Sequence, residues 1–312
     1  MTSDNTPRAR IVEAGAGDVG QRIDNFLIKQ LKGVPRTRIY KALRKGEVRV
    51  NGSRKKPTYH VKAGDQVRIP PIRHSTASGG VAIPERLLDH VPVLFEDNDM
   101  LVVNKPAGLA VHGGTGMDYG LIEALRKLRP ELEFIELVHR LDRDTSGCLM
   151  LAKTRSALVN LQEQLSSTRT IRKHYLALLY QQLHDDICEA NFTLQQTRDE
   201  EGMKRVVVDK HGQPAKTVFK VKQLYQNATL VEAELYTGRM HQARVHAVAI
   251  GHPIAGDRLY GDRHFNQQMK KLGLGRMFLH AERLRLSHPV SGNQQDFFAP
   301  LSPSLEEVLL KL

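Results

Sequence analysis

Cysteine is scarce in this sequence, with only Cys148 and Cys188 among 312 residues. Neither belongs to a Cys-x-x-Cys pair or a cluster of histidines, so the sequence supports neither a disulfide framework nor a zinc site. An apolar run long enough to span a bilayer is also absent. Residues 1–15 are polar and lack the apolar segment of a signal peptide. These absences together predict a cytoplasmic protein.

Acidic residues are in the minority, because 34 Asp and Glu residues stand against 46 Lys and Arg residues, a formal net charge of +12. Such an excess favours polyanionic partners, since each basic side chain that contacts a phosphate releases a counterion. An enzyme of small neutral metabolites does not need it. Hydrophobic residues make up 40% of the chain, enough for a packed core, and the length suggests two domains.

The first predicted module covers residues 20–71 and follows a 19-residue start that we expect to be flexible. Apolar residues recur at helical spacing within 23–31, and a second helix is expected within 35–46. An Asn-Gly turn at 51–52 between alternating segments predicts a small sheet. Basic side chains are concentrated along this module, which favours nucleic-acid binding over a merely solvated surface. The candidate RNA-binding residues here are Arg36, Arg38, Lys41, Arg44, Lys45 and Arg54.

Residues 72–84 are rich in Ser, Thr, Gly and Pro without periodicity, which predicts a linker. The second domain is expected over residues 85–312. Short β-type runs dominate it, and helices are expected at 122–128, 156–165 and 240–250. Because the strands do not alternate regularly with the helices, the pattern predicts an α+β domain with a mostly antiparallel sheet.

Three polar clusters in the second domain are candidates for chemistry. They are VHRLDRDTSG at 138–147, NKPAGLAVHGG at 104–114 and YTGRMHQARVH at 236–246. The lysine of the second cluster precedes its glycines, so this cluster is not a phosphate-binding loop of the GxxxxGK[ST] type. The last cluster enters a helix on which His241, Arg244 and Val248 would share one face. A solvated loop remains the ordinary alternative for such clusters.

The three clusters resemble the signature motifs of the RluA-type pseudouridine synthases, through the segments HRLDRDTSG, NKPAGLAVH and TGRMHQARVH. This resemblance continues through GHPIAGDRLYG and FLHAERLRLSHP. The first module resembles a different family, the S4 RNA-binding domain, over the segment QRIDNFLIKQLKGVPRTRIYKALRKGEVRVNG. It implies an α+β protein in which a small S4-type domain precedes a pseudouridine synthase catalytic domain with a mostly antiparallel sheet. It also implies that uridines of large-subunit ribosomal RNA are isomerised, without a cofactor or a metal.

The resemblance places the catalytic carboxylate at Asp142, as a nucleophile or as a base, and both routes stay open. Asp144 is a rival on chemistry alone. A structural ion pair between Asp142 and Arg140 or Arg143 is the alternative without chemistry. The matching family arginine is Arg244, which is expected to keep Asp142 ionised and oriented, because burial alone would raise the pKa of a carboxylate.

The target base of such an enzyme is flipped out of the RNA and stacks on an aromatic face. The matching family tyrosine is Tyr175, with a second role expected in the late proton removal. Lys173, two residues away on the same strand face, is expected beside it. Arg140 is expected to fill the gap left in the RNA, since its guanidinium can both stack and bind phosphate. Ala243 replaces a larger aliphatic residue, which would widen the pocket.

Several alternatives remain open from the sequence alone. The chain could be a non-catalytic RNA-binding factor for ribosome assembly, a pseudouridine synthase of another structured RNA such as tRNA, or an RNA hydrolase. A metal site is not predicted, because His241 and His246 are five residues apart and no carboxylate completes a site. Capping or loop-stabilising roles are expected for these two and for His112 and His139. No protein partner is expected, and the chain is expected to be a monomer.

Overall fold

The computed structural model describes residues 9–31, 34, 36–72, 83–113, 119–166, 170–200 and 202–312, without the side chains of residues 36 and 37. The chain divides into two compact units, Met1–Ala82 and Ile83–Leu312. Most of the predicted linker, residues 73–82, lies outside the described residues. Ile72, at its start, is buried in the core of the N-terminal unit.

The N-terminal unit packs two helices against a three-stranded antiparallel sheet of order β1-β3-β2. Its elements are β1 (Arg10–Glu13), α1 (Ile23–Gln30), α2 (Arg36–Lys45), β2 (Arg49–Val50) and β3 (Gln66–Ile69). The core forms because the apolar stripes of both helices, including Phe26 and Leu43, meet the inward side of β3 at Val67. The Asn-Gly turn is present, with φ of 50° at Asn51 and 75° at Gly52.

The prediction of a flexible start was wrong for Arg10–Glu13, because this segment is strand β1. It pairs antiparallel with β3 over all four residues, from Arg10 opposite Ile69 to Glu13 opposite Gln66. The strand lies at the sheet edge, and its side chains are mostly exposed. Val12 alone packs partly against the core. Backbone pairing is therefore the main interaction of this strand, and it leaves no alternating pattern in the sequence.

The C-terminal unit is built on one large sheet whose main path runs β10-β9-β11-β12-β8-β13-β7-β5-β4. Its strands are β4 (Val93–Glu96), β5 (Met100–Lys105), β6 (Glu136–Leu137), β7 (Ser146–Ala152), β8 (Arg172–Tyr180), β9 (Ile187–Arg198), β10 (Lys204–Val208), β11 (Gln213–Tyr225), β12 (Ala228–Leu235), β13 (Leu279–Ser287) and β14 (Gln294–Phe298). Its helices are α3 (Leu121–Leu128), α4 (Arg155–Ser166), α5 (Gln242–Ala249), α6 (Arg263–Lys271) and α7 (Pro303–Leu310). Every described strand pair is antiparallel except β13 with β7, which confirms the predicted α+β architecture.

Helices cover both faces of this sheet. Side chains alternate along β8, so Tyr175 and Ala177 pack in one core with apolar residues of α3 and α5. Leu178 points to the opposite face, where it packs with residues of α6 and α7, including Phe265. Strand β7 is buried along its whole length, because both of its faces are covered. The sequence accordingly shows a continuous apolar run there.

The three expected helices of this unit are confirmed as α3, α4 and α5, although α5 begins two residues later than predicted. Helices α6 and α7 and the hairpin of β9 and β10 were not predicted. In α6 only Phe265 and Met269 are buried, too narrow an apolar stripe to identify in the sequence RHFNQQMKK. None of the described helices has the length and apolarity needed to cross a membrane.

Candidate active site

Asp142 lies in the loop between β6 and β7. The buried neighbours Leu141 and Thr145 anchor this loop, and the Thr145 N–H closes a turn on the Asp142 carbonyl oxygen at 3.1 Å. The Asp142 side chain remains about a quarter exposed, at 27%, on the wall of a cavity. The local fold thus fixes the backbone on both sides of a carboxylate that solvent and ligands can reach.

Neither arginine of the same loop pairs with Asp142 among the described contacts. Arg143 instead forms an exposed ion pair with Asp144, Nε to Oδ1 at 3.2 Å. Arg140 is exposed and contacts His112, Nη1 to Nε2 at 3.5 Å. The rival carboxylate Asp144 is therefore engaged on the surface, and the proposed local ion pair for Asp142 is not formed.

Arg244, in the first turn of α5, pairs with Asp142 across 102 positions of sequence. Its Nη1 lies 3.1 Å from Oδ2 of Asp142. Its Nε and Nη2 hold both oxygens of Asp257 at 2.7 and 2.8 Å. Burial alone would lower the pKa of Arg244, but Asp257 and Asp142 hold it above its usual value. Arg244 is therefore a permanent cation shared between two carboxylates.

Asp257 was not predicted as a site residue, although it lies in the GDRLYG segment quoted for the family resemblance. It is buried and accepts the backbone N–H groups of Leu259 and Tyr260 at 2.9 and 3.1 Å. Burial raises the pKa of such a carboxylate, but the Arg244 guanidinium outweighs it and leaves the pKa of Asp257 below its usual value. Asp257 thus fixes the orientation of Arg244 without lining the cavity.

Lys105 contacts the loop that carries Asp142 from the protein interior. No role was predicted for it from the sequence. It is fully buried at the end of β5, and its Nζ donates to the carbonyl oxygens of Pro106, Leu109 and Arg143 at 2.8, 2.8 and 3.0 Å. Burial lowers the pKa of Lys105 to about 7, against the nearby charge of Asp142. Lys105 therefore ties the NKPAG segment to the HRLDRDTSG segment, so two of the three polar clusters of the sequence meet here.

The cavity beside Asp142 has a volume of about 720 Å³, within the range of small-molecule sites. Its wall includes the five residues of the C-terminal unit that were predicted to catalyse the reaction or bind the RNA: Arg140, Asp142, Lys173, Tyr175 and Arg244. Apolar residues such as Leu235 and Leu279 complete the wall. Ala243 also lines it, whereas the exposed Val248 does not.

Tyr175 and Lys173 come from β8 and reach the cavity from the sheet side. Tyr175 is buried, and burial together with the charge of Asp142 raises the pKa of its hydroxyl. Lys173 Nζ donates to the carbonyl oxygen of Thr237 at 3.1 Å, and burial lowers the pKa of Lys173 to about 8. At pH 7 the Tyr175 hydroxyl is therefore neutral, and Lys173 is positively charged but gives up its proton more readily than an exposed lysine.

His241 lies closer to the candidate carboxylate than its expected capping role implied. It precedes α5 in a left-handed conformation, with φ of 53°, and its side chain caps no backbone group. Its Nε2 is 3.9 Å from Oδ2 of Asp142, and its Nδ1 is 2.8 Å from the hydroxyl of Tyr260. The prediction that His241 is part of the helix was wrong, because α5 begins at Gln242. The His241 side chain nevertheless approaches the same oxygen of Asp142 that Arg244 contacts.

Two other histidines have structural roles. Met150 N–H donates to Nε2 of His139 at 3.1 Å, and burial lowers the pKa of His139 to about 3. His246 is buried against Phe192 and bonds to the Thr217 hydroxyl at 3.0 Å. Burial also lowers the pKa of His246 to about 4. Both rings are therefore neutral at pH 7, and each forms a hydrogen bond with a strand residue, Met150 of β7 or Thr217 of β11.

Only one group of described residues has the spacing of a metal site, formed by Asp97, Asp99 and His288. Its Asp97 already accepts from His288 Nε2 at 2.7 Å and from the N–H groups of Asp99 and Met100. None of the three residues lines the cavity. The group is therefore explained by its own hydrogen bonds.

Apart from Arg140 and Lys173, the basic residues predicted for RNA binding lie in the N-terminal unit. Arg38 forms an ion pair with Glu47 at 2.9 Å, and Arg54 donates to the carbonyl oxygen of Arg44. The side chain of Arg36 lies outside the described part of the chain. The exposed members are Lys41, Arg44, Lys45 and Arg54. A surface of four exposed cations on and beside α2 is thus available to a polyanion.

Comparison with known proteins agrees with this site. Residues 99–249 match the RNA pseudouridylate synthase family, and residues 21–67 match the S4 domain. The chain is 50% identical to ribosomal large subunit pseudouridine synthase C of Haemophilus influenzae, covering 94% of this chain and 92% of the relative. It is 48% identical to the enzyme of that name from Escherichia coli strain K12, covering 98% of both.

Solved structures share the fold over most of the chain. Human RNA pseudouridylate synthase domain containing 1 matches with a TM-score of 0.58 and 27% identity, over 71% of this chain and 88% of its own. Human RNA pseudouridylate synthase domain containing 4 matches with a TM-score of 0.59 and 25% identity, over 73% and 94%. The fold, the motifs around Asp142 and these relatives agree, and the chain belongs to the RNA pseudouridylate synthase family, with an S4 domain preceding its synthase domain.

Proposed function

We propose that this protein isomerises uridine to pseudouridine in large-subunit ribosomal RNA, with Asp142 as the catalytic carboxylate. In this reaction the bond between N1 and C1′ breaks, the uracil turns, and a bond between C5 and C1′ forms. The proton on C5 leaves and N1 gains one, so the product has the mass of the substrate. The relatives named as large-subunit synthases and the S4 domain support this RNA as the substrate.

The observation that carries the proposal is how the Asp142 carboxylate is held. Arg244 occupies Oδ2, and Oδ1 accepts no hydrogen bond from any described residue. One oxygen is therefore anchored by a permanent cation, while the other is available on the cavity wall. A carboxylate held in this way is oriented for attack on the sugar or for abstraction of a sugar proton.

The surrounding side chains fit a flipped nucleotide. Tyr175 offers an aromatic face for stacking of the uracil, which is favourable for any base. Its neutral hydroxyl can relay the late proton, accepting the one from C5 while it donates its own to a neighbouring acceptor. Lys173 and the exposed Arg140 supply positive charge for the phosphates beside the flipped nucleotide. We further propose that the protein works as a monomer and in the cytoplasm, where the ribosomal RNA that its relatives are named for is located.

Carbodiimide mapping of pseudouridine tests the proposal. Naked large-subunit rRNA and a separate tRNA pool are incubated with the wild type, Asp142→Asn or Asp144→Asn, and new reverse-transcription stops are mapped. Asp144→Asn is the matched control, because it removes a neighbouring carboxylate whose ion pair is exposed. We expect stops in rRNA with the wild type and the control, and none with Asp142→Asn, which still binds RNA.

The other outcomes are distinct. Stops with Asp142→Asn at the wild-type level would refute the assignment of the catalyst. Stops confined to tRNA would refute the substrate. Tight binding without stops in either RNA would favour an assembly factor, and shortened RNA on a gel would favour a hydrolase.

A further inference from the structure

His241 has a geometry that a helix cap or a loop-stabilising residue does not need. Its left-handed backbone, with φ of 53° and ψ of 19°, is an uncommon conformation for a residue with a side chain, although histidine adopts it more readily than most. Such strain persists where the surroundings enforce it, and it is found most often at functional sites.

The buried side chain of Gln242 enforces this conformation. Its Oε1 accepts from the Thr237 hydroxyl at 2.6 Å and from Arg239 N–H at 3.1 Å. Its Nε2 donates to the Lys216 carbonyl and to the Thr217 hydroxyl, both at 3.0 Å. Four hydrogen bonds from one buried amide thus lock the turn that presents the His241 ring to the cavity.

Tyr260 determines which ring nitrogen of His241 carries the proton. The Tyr260 oxygen accepts the Val206 N–H at 2.8 Å, and burial raises the pKa of Tyr260, so its hydroxyl keeps its proton. Among the described residues, the acceptor within reach of that proton is Nδ1 of His241, at 2.8 Å. Burial also lowers the pKa of His241, against the charge of Asp142. The ring is therefore neutral, and its proton is on Nε2.

We propose that His241 is a positioning residue for Asp142: Tyr260 fixes its neutral form with the proton on Nε2, and this N–H is directed at Oδ2, the oxygen that Arg244 also holds. The inference rests on the proposed role of Asp142. The separation of 3.9 Å exceeds that of a hydrogen bond, and catalytic contacts commonly shorten when the substrate closes the site. Two donors on one oxygen leave Oδ1 to react.

A neutral donor suits this position better than a second cation. Arg244 already neutralises part of the charge of Asp142, and a charged imidazole on the same oxygen would stabilise the ground-state carboxylate further. The hydroxyl of Tyr260 prevents this by occupying Nδ1. Tyr260 also packs its ring against Arg244, 4.9 Å from the guanidinium carbon. One tyrosine therefore positions both side chains that hold Oδ2.

The first test is independent of activity. The full-length protein is labelled with ¹⁵N-histidine, and long-range ¹⁵N–¹H correlation spectra identify the protonated nitrogen of His241, which is assigned by its absence in His241→Gln. We expect the proton on Nε2 in the wild type and a mixture of both tautomers in Tyr260→Phe. A proton on Nδ1 in the wild type, or no change in Tyr260→Phe, would overturn the inference.

The second test compares His241→Asn with His241→Gln in steady-state pseudouridine formation, with thermal unfolding measured alongside. Glutamine places an N–H near the position of Nε2, whereas asparagine is too short to reach Oδ2 but tolerates the left-handed backbone well. We expect kcat to fall about 10- to 100-fold in His241→Asn, as for loss of a hydrogen bond to a charged group, with unchanged KM and unfolding temperature. His241→Gln should recover most of that loss.

Wild-type turnover in His241→Asn would refute the positioning role. An equal loss in both variants accompanied by a lower unfolding temperature would mean that His241 is only structural, and it would also refute the role. If the wild type formed no pseudouridine, the proposed function would fail, and the tautomer measurement would still decide whether Tyr260 sets the proton on His241.

Discussion

The Asp257→Asn substitution tests whether the active site depends on a carboxylate that touches no part of the cavity. Asp257 is 1% exposed in its side chain and forms two hydrogen bonds with Arg244, whose side chain is 11% exposed. Asparagine keeps the shape, but it replaces one acceptor oxygen with an amide NH2 group, a donor that would face the donors of the guanidinium. Arg244 would then lose its fixed orientation towards Asp142.

The magnitude follows from the burial of this pair. Removing one partner of a buried ion pair costs about 3 to 5 kcal/mol, and the retained amide oxygen places Asp257→Asn near the lower value. A loss of about 3 kcal/mol corresponds to a fall of roughly 6 to 12 °C in the unfolding temperature for a domain of this size. If Arg244 no longer orients Asp142, a loss of up to about 3 kcal/mol of transition-state stabilisation would lower kcat by up to roughly 160-fold.

The assay is steady-state pseudouridine formation on rRNA, combined with thermal unfolding. KM should remain unchanged, because Asp257 does not line the cavity, and Asp144→Asn serves as the control with an exposed ion pair. Wild-type kcat in Asp257→Asn would refute the view that Arg244 needs a second carboxylate to orient Asp142. A lower unfolding temperature with unchanged kcat would restrict Asp257 to folding.

The remaining predictions concern Tyr175 and the basic surface of the S4 domain. Tyr175→Phe should keep RNA affinity in a filter-binding assay while kcat falls by about 10²-fold or more, the range of general acid–base catalysis; equal losses in binding and turnover would mean that the hydroxyl acts only in binding. Neutralising Lys41, Arg44 and Lys45 together should lower the slope of log K against log salt by roughly 2 to 3, since each phosphate contact contributes about 0.7 to 0.9. The matched control neutralises three exposed lysines of α6 and the C-terminus, Lys270, Lys271 and Lys311, and an equal drop in both triple variants would remove the special role of the S4 surface.

The sequence supports prediction of the fold where the pattern is local and apolar. Helix α1 and strand β7 could be identified because burial of one or both of their faces leaves a period or a continuous run. Strand β1 could not be identified, because it is held mainly by backbone hydrogen bonds to β3, and almost any residue type can form these. Helix α6 was not predicted for a related reason. Only Phe265 and Met269 of this helix are buried, and two residues give no recognisable apolar period.

The candidate site divides in the same way. Asp142, Arg244 and Tyr175 lie in segments whose motifs resemble a known family, so they could be named before the structure. Their partners could not, because the contacts join distant positions: Arg244 meets Asp142 across 102 residues, and Lys105 reaches Arg143 across 38. Sequence distance of this kind carries no periodic signal. For His241, the helical pattern predicted a place on α5, whereas the structure puts it in a left-handed turn just before the helix.

The charges around Asp142 are arranged so that the carboxylate is held but not neutralised. Arg244 is one cation between two carboxylates, so this group keeps a net negative charge even though Arg244 touches both. If His241 is neutral, as the hydroxyl of Tyr260 requires, it adds a hydrogen-bond donor to Oδ2 without adding charge. Replacing Asp257 by a neutral residue would therefore strengthen the hold of Arg244 on Asp142 electrostatically while loosening its geometry. A fall in kcat for Asp257→Asn would show that orientation outweighs charge at this carboxylate.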